Sequence, residues 1–235
     1  MPEQDIFESF ELDFDFDFMS MEVSDQREGQ AYYTDGSNNL GWGGFAGYSV
    51  IEDFFGATAI DENKWLITGT PLMTTSGTRK VVQLDVGEEL KSFTFTEPLE
   101  NIGKIVFEAD MYYEDAAGGD YTTWLGVTNS AFTKFVMLFS YGASGLSAER
   151  WKAETTDNAG ETWSPEINIS GYTWHTLKIE IMRNKVVFWI DTTKVATLNG
   201  NIPKSDDLQI YIKCGVGLGL LQLDRARLYY LGSPQ

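Results

Sequence analysis

Hydrophobic and polar positions alternate with a period of two along most of this chain. Ile105, Phe107, Ala109 and Met111 alternate with Val106, Glu108, Asp110 and Tyr112. His175, Leu177, Ile179 and Ile181 alternate with Thr176, Lys178, Glu180 and Met182, and Val186, Phe188 and Ile190 form one face of the segment that follows. Alternation of this kind puts one set of side chains on each face of a β-strand. The run from Phe132 to Tyr141 predicts a buried strand, and residues 208–213 and 221–230 predict two more. Breaks rich in Gly, Asn, Asp and Pro separate these runs, as at 114–120 and 199–207. No long helical period and no internal repeat is present. Many short strands at this spacing predict an all-β sandwich or barrel.

The first fifty residues follow another pattern. They hold eleven acidic residues and one basic residue, Arg27, which is more than half of the chain's net charge of −18. Within them Leu12, Phe14, Phe16 and Phe18 alternate with Asp13, Asp15 and Asp17, so the apolar side chains share one face and the carboxylates the other. Such a strand needs an apolar surface. It is either an edge strand of the main sandwich or an assembly arm that docks on a neighbouring subunit. Residues 31–49, rich in Gly, Ser, Asn and aromatics, predict a loop. The expected division is an acidic N-terminal arm with its Gly-rich loop at 1–49 and a β-sandwich at 50–235.

Composition narrows the function. A net charge of −18 opposes phosphate binding, so nucleic acid is not an expected partner. It equally opposes an anionic membrane surface. No apolar stretch is long enough for membrane insertion, and the N-terminus has neither the basic nor the apolar part of a signal peptide. The single cysteine, Cys214, excludes an internal disulfide framework and is expected to be a small core residue. The single histidine, His175, is expected to be structural, since zinc and Ser-His chemistry both need partners that its neighbourhood in sequence lacks.

Three stretches together resemble the concanavalin A-like (laminin G-like) jelly-roll superfamily. They are IEDFFGATAIDENKW at 51–65, WHTLKIEIMRNKVVFWIDTTKVAT at 174–197 and the closing strand LQLDRARLYY at 221–230. The resemblance covers roughly residues 50–232 and implies a jelly-roll β-sandwich whose last strand pairs beside its first. It also implies that Asp224 approaches Glu52 and Asp53, where some relatives hold calcium. Calcium is therefore the one candidate ion, with those three carboxylates as candidate ligands, and no other cofactor is expected. The alternative is that they are solvated turn carboxylates.

Some members of the superfamily are glycoside hydrolases with carboxylates spaced Glu-x-Asp-x-Glu on one strand. The stretch 108–114 supplies Glu108 and Asp110, but Tyr112 stands where the third carboxylate is required. Glu114 is roughly 20 Å along the strand from Glu108, so the paired geometry of retaining hydrolysis is missing and no catalysis is expected. Residues 155–163 resemble an Asp-box, with Thr155, Asp157, Gly160, Thr162 and Trp163 in place. In that device Asp157 bonds turn amides, Gly160 takes a strained conformation and Trp163 packs the turn on the sheet. Tyr112, Trp124 and Tyr141 are candidate glycan-binding aromatics, since rings of this kind stack on sugar C–H surfaces. They are equally suited to core or interface packing.

These readings lead to a non-enzymatic virion structural or appendage protein of a bacteriophage, such as a head (capsid) decoration, fibre or tail subunit that binds host surface glycans. Its expected partners are further copies of itself and other virion proteins. A displayed type of fold without export signal or disulfides fits particles assembled in a host cytoplasm. The alternative is a lectin-like carbohydrate-binding module or, further off, a glycoside hydrolase or lyase. Deleting residues 1–30 should leave a folded, soluble, monomeric sandwich with an all-β circular dichroism spectrum. An unfolded product would make the arm an integral strand.

Overall fold

The computed structural model describes residues 30–34, 40–44, 47–53, 55–56, 59–95, 103–115, 123–141, 150–203, 207–215 and 218–231. The expected arm strand at Leu12 to Phe18 lies outside them. Every regular element among the described residues is a strand, and no helix is long and apolar enough to cross a membrane.

The chain divides into two units, residues 1–45 and 46–235. In the first, β1 (Gln30–Thr34) and β2 (Leu40–Gly44) form an antiparallel hairpin with Tyr32 opposite Trp42. This corrects the loop expected at 31–49. Glycine density suggested a loop, whereas cross-strand pairing of aromatic positions favours a hairpin.

The second unit begins with β3 (Gly47–Asp53), β4 (Trp65–Thr68), β5 (Leu72–Ser76), β6 (Arg79–Leu84) and β7 (Glu89–Ser92). It continues with β8 (Lys104–Asp115), β9 (Thr123–Asn129), β10 (Phe135–Tyr141), β11 (Arg150–Thr156), β12 (Glu161–Trp163) and β13 (Ile167–Asn168). It ends with β14 (Trp174–Met182), β15 (Lys185–Ile190), β16 (Thr193–Leu198), β17 (Leu208–Lys213) and β18 (Leu218–Leu231). A first antiparallel sheet runs β3-β18-β8-β14-β15-β16, with β6 also on β18 and β5 on β6. A second runs β12-β11-β10-β9-β17-β7-β4, with β13 on β11.

The two sheets share one core. The first contributes Ile105, Phe107, Ala109, Met111, Leu177, Ile179, Ile181, Val186, Phe188 and Ile190, all on the faces that alternation predicted. The second contributes Leu125, Val127, Val136, Leu138, Trp151, Ala153, Ile210 and Ile212. Cys214 is fully buried among them, and burial pushes its thiol up to about 12, so it is an inert packing residue. Two buried polar handles of the core find partners. The Tyr113 hydroxyl donates to the Ile169 carbonyl at 2.6 Å, and the Trp151 indole donates to the Tyr113 hydroxyl at 3.2 Å.

The three signature stretches each have a structural use. In the first, the Trp65 indole donates to Asp53 at 2.7 Å, and Phe55 packs on Trp65 with ring centroids 5.8 Å apart. In the second, the turn Arg183–Asn184 joins β14 to β15 as expected. At its far turn Asp191 adopts a left-handed φ of 54° and accepts from the Thr176 amide and from His175 Nδ1, both at 2.9 Å. His175 Nε2 meets the Ser170 carbonyl at 2.8 Å, so both ring nitrogens are held within the scaffold. Burial opposes ionisation of Asp191, yet the bonds from His175 and Thr176 hold its carboxyl below the ordinary range. The third stretch, within β18, pairs with β3 as the resemblance implied, with Asp53 opposite Ala226.

Two local expectations are corrected. The apolar strand begins at Phe135, and Phe132 instead occupies the β9–β10 turn with φ 55°. The Asn129 side chain caps that turn, accepting from the amides of Thr133 (2.8 Å) and Lys134 (2.9 Å). In the β11–β12 turn Asp157 accepts from the Ala159 amide as expected, but Asn158, with φ 72°, takes the strained conformation expected of Gly160.

Replacing Trp65 with alanine should lower unfolding free energy by about 3–5 kcal/mol, because it opens a cavity and strands Asp53. Denaturant unfolding measures this. A loss under about 1 kcal/mol would contradict the anchoring role.

Candidate functional site

The outer face of the second sheet carries a second apolar cluster, separate from the core, made by Phe135, Met137 and Tyr211 with Trp124 packed against it. Strand register explains it. Met137 on β10 stands opposite Glu154 on β11 and Gly126 on β9, Gly126 opposite Tyr211 on β17, and Glu154 opposite Trp163 on β12. These side chains therefore share one face. Gly126 is required there, since a Cβ would lie 2.1 Å from the Val136 carbonyl oxygen and 3.0 Å from the Met137 sulfur.

Around the cluster the rings join into one platform. Trp124 stacks on Phe139 at 5.3 Å, and Phe139 meets Trp163 edge-on at 5.0 Å. Phe132 lies 5.5 Å from Trp124, 5.4 Å from Phe135 and 5.0 Å from Tyr211. From β12 to β17 the platform crosses four strand spacings, roughly 19 Å. Trp163 is 44% and Phe132 37% exposed, so its rim is open to solvent. The left-handed backbone at Phe132 is rare for a bulky residue, and strain of that kind gathers at functional sites.

Charged groups border the rings. Glu89 accepts from Lys91 at 2.8 Å and Lys213 at 3.0 Å, and Lys91 lies over the Tyr211 ring at 5.2 Å. Burial opposes ionisation of Glu89, but its two lysines hold it below the ordinary range. Burial and Glu89 raise Tyr211, which stays neutral. Lys152 lies 5.9 Å over the Trp163 ring, and the Trp163 indole donates to Glu161 at 3.1 Å. Glu154 is only 2% exposed, and burial together with the nearby Glu161 pushes its carboxyl up to about 7.

Of the candidate glycan-binding aromatics, Trp124 is placed in this platform by its contacts. Tyr141 ends β10 opposite Arg150. Tyr112 belongs to the first sheet, where its ring lies 5.7 Å from Trp174 and its hydroxyl donates to Glu114 at 3.2 Å. Sequence reasoning missed Phe132, Phe135, Phe139 and Tyr211 as platform members and read Trp163 only as a turn residue. The available signal was the density of aromatics at 132–139.

Glu108 and Asp110 are committed elsewhere. Glu108 accepts two bonds from the Arg227 guanidinium and one from the Tyr229 hydroxyl at 2.9 Å. Asp110 accepts from the Thr176 hydroxyl at 2.7 Å and pairs with Arg225 at 3.2 Å. Among the calcium candidates, Asp53 is taken by the Trp65 indole and Asp224 by Arg79 at 2.7 Å. Glu52 pairs through its backbone with Arg227. A β-bulge between Leu223 and Arg225 falls at Asp224. Among the described residues no group of three or more His, Cys, Asp or Glu converges as metal ligands.

No protein-family model and no curated protein matches this sequence. Solved structures do. The CBM2 module of the evolved Dit of Lactobacillus casei BL23 phage J-1 matches with a TM-score of 0.58 at 9% identity, over 81% of this chain and 98% of that one. A glycoside hydrolase family 16 endo-glucanase from Bacteroides ovatus matches with a TM-score of 0.56 at 13% identity, over 76% and 99%. A carbohydrate esterase of Shiga toxin-encoding bacteriophage phi24B matches with a TM-score of 0.53 at 12% identity, over 72% and 91%. The fold is a concanavalin A-like jelly roll.

The raised Glu154 carboxyl has a consequence for stability. Its folded value, about 7, exceeds the ordinary 4.5. Its contribution is therefore fully present below about pH 4.5 and is lost as pH rises through 7, by on the order of 3 kcal/mol in total. Melting curves from pH 4 to 8 should show this decline, and Glu154→Gln should flatten it. An unchanged profile in the variant would show that Glu154 ionises as an ordinary surface acid.

Proposed function

We propose that this protein is a non-enzymatic carbohydrate-binding jelly roll that holds a glycan chain along the aromatic platform on the outer face of its second sheet. The observation that carries this reading is the continuous run of rings from Trp163 through Phe139, Trp124 and Phe132 to Tyr211, with Trp163 and Phe132 open to solvent. Rings with exposed faces take up the C–H surfaces of sugars, and neighbouring polar groups take up hydroxyls. The likeness to a phage CBM2 module and to a family 16 endo-glucanase supports a glycan-related role.

The absence of catalysis is part of the proposal. The best-spaced carboxylates in the sequence, Glu108 and Asp110, are engaged by Arg227, Tyr229, Arg225 and Thr176. A carboxylate so paired is a poor general acid at neutral pH.

We read its setting as a bacteriophage virion, where it serves as an appendage subunit that binds cell-surface glycans and assembles with its own copies and other virion proteins. Support comes from two of the solved likenesses, which are phage proteins, and from the acidic, apolar-alternating segment around Leu12 to Phe18, suited to strand addition on a neighbour.

A glycan array tests the reading. The protein should bind, and Trp163→Ala and Trp124→Ala should each weaken binding at least about tenfold, or ~1.4 kcal/mol. Loss of binding in Tyr112→Ala with both tryptophan variants unaffected would move the site to the first sheet and overturn the platform. Incubation with laminarin or lichenan should release no reducing ends. Release abolished by Glu108→Gln would make the protein an enzyme.

A further inference from the structure

We infer that Glu154 is the polar anchor of the platform, its carboxylate accepting two hydrogen bonds from adjacent hydroxyls of an uncharged sugar at the Trp163 end. This rests on the carbohydrate-binding reading and names the residue that selects the sugar.

Glu154 is the anomaly of the second sheet. It is 2% exposed, and among the described residues burial and the nearby Glu161 act on its carboxyl with no hydrogen-bond donor or cation beside them. Buried Glu108 and half-buried Glu89 each have one. Glu108 has Arg227 and Tyr229, and Glu89 has Lys91 and Lys213. A buried polar group without a partner is costly to keep, and a titratable group so placed beside an aromatic surface marks a ligand site.

The surroundings define what it accepts. On β10 the neighbouring outward positions are Phe135, Met137 and Phe139, none of them titratable. On β12 they are Glu161 and Trp163, and Glu161 is held by the Trp163 indole. On its own strand they are Lys152, which lies over Trp163, and Thr156, whose hydroxyl donates to the Gly160 carbonyl. Beyond Met137 and Gly126 come Tyr211 and the Lys91–Glu89–Lys213 group. The charge that acts on Glu154 is thus a second carboxylate, Glu161, and a third, from a sialyl or uronic acid residue, would be repelled. Neutral hydroxyls donate without that penalty. Two adjacent hydroxyls match the two oxygens of a carboxylate, while the ring's C–H face rests on Trp163 and Phe139.

The chemistry has a measurable signature. The free carboxyl titrates at about 7, so it is largely protonated at pH 6 and largely ionised at pH 8. Hydroxyls that donate to it favour the ionised form. Binding therefore releases a proton, and affinity rises about tenfold between pH 6 and pH 8.

The test is isothermal titration calorimetry with laminarihexaose, cellohexaose and chitohexaose, in N-acetylated form, at pH 6, 7 and 8. Two buffers of different ionisation enthalpy count the protons released. At least one hexasaccharide should bind about tenfold more tightly at pH 8 than at pH 6, with proton release at pH 7. Glu154→Gln should bind more weakly and with no pH dependence, and sialyllactose should not bind. Wild-type proton release decides the matter even if that variant fails to fold. Binding that depends on Trp163 but is equal at all three pH values would overturn the anchor and leave the platform standing. Binding of none of the three hexasaccharides at any pH would overturn both.

Discussion

Two sheets sharing one core is the constraint on which the rest depends. Each strand of the second sheet gives alternate side chains to that core, as Leu125, Val127, Val136, Leu138, Trp151 and Ala153 show. The intervening positions must then lie on the outer face. In most sandwiches that face is polar. Here it holds Trp124, Phe135, Met137, Phe139 and Tyr211, so the sheet is apolar on both sides. The first sheet makes the contrast. Its outer face carries Glu108, Asp110, Lys178 and Glu180, paired with one another or with arginines. Among the described residues one fold therefore presents a face of paired charges and an aromatic face.

Electrostatics follow the same division. On the outer face of the first sheet, carboxylates find cations supplied by β18, as Arg227 meets Glu108 and Arg225 meets Asp110. Arg79 lies over Trp174 while it pairs with Asp224. These contacts tie the acids of that face to arginines of the last strand. On the second sheet, burial and the nearby Glu161 lift Glu154 toward neutrality. A chain with a net charge of −18 has acids to spare, so position and not composition separates the paired carboxylates of the first sheet from the buried Glu154.

The first sheet was largely legible in the sequence. β8 and β14 alternate strictly, and their core faces are the ones that Ile105, Phe107, Leu177 and Ile179 announced. The opening stretch at 51–65 is explained by the bond between Asp53 and Trp65, and the closing strand pairs where the resemblance placed it. The platform was not legible. Phe135 to Phe139 is apolar at every position, so period two vanishes and no reader can tell the core face from the outer face. Its members also come from far apart, with Trp124, Trp163 and Tyr211 joined only by register across β9, β10, β11, β12 and β17. The partners of Glu108 and Asp110 were hidden for the same reason, since Arg225 and Arg227 lie on the last strand. Glycine density concealed the β1–β2 hairpin, and Phe132 was counted into a strand because a turn rarely takes a bulky left-handed residue.

Indole resonances in a proton–nitrogen NMR spectrum probe the central claim most directly. The signals of Trp124 and Trp163 report on the platform, Trp65 and Trp151 on the core, and Trp174 and Trp189 on the first sheet. Titration with a neutral hexasaccharide such as laminarihexaose, cellohexaose or N-acetylchitohexaose should move Trp124 and Trp163 together, with one saturation curve, and leave Trp65 and Trp151 fixed. Movement of Trp174 with Trp124 and Trp163 still would contradict it, because the glycan would then occupy the face whose charges are already paired.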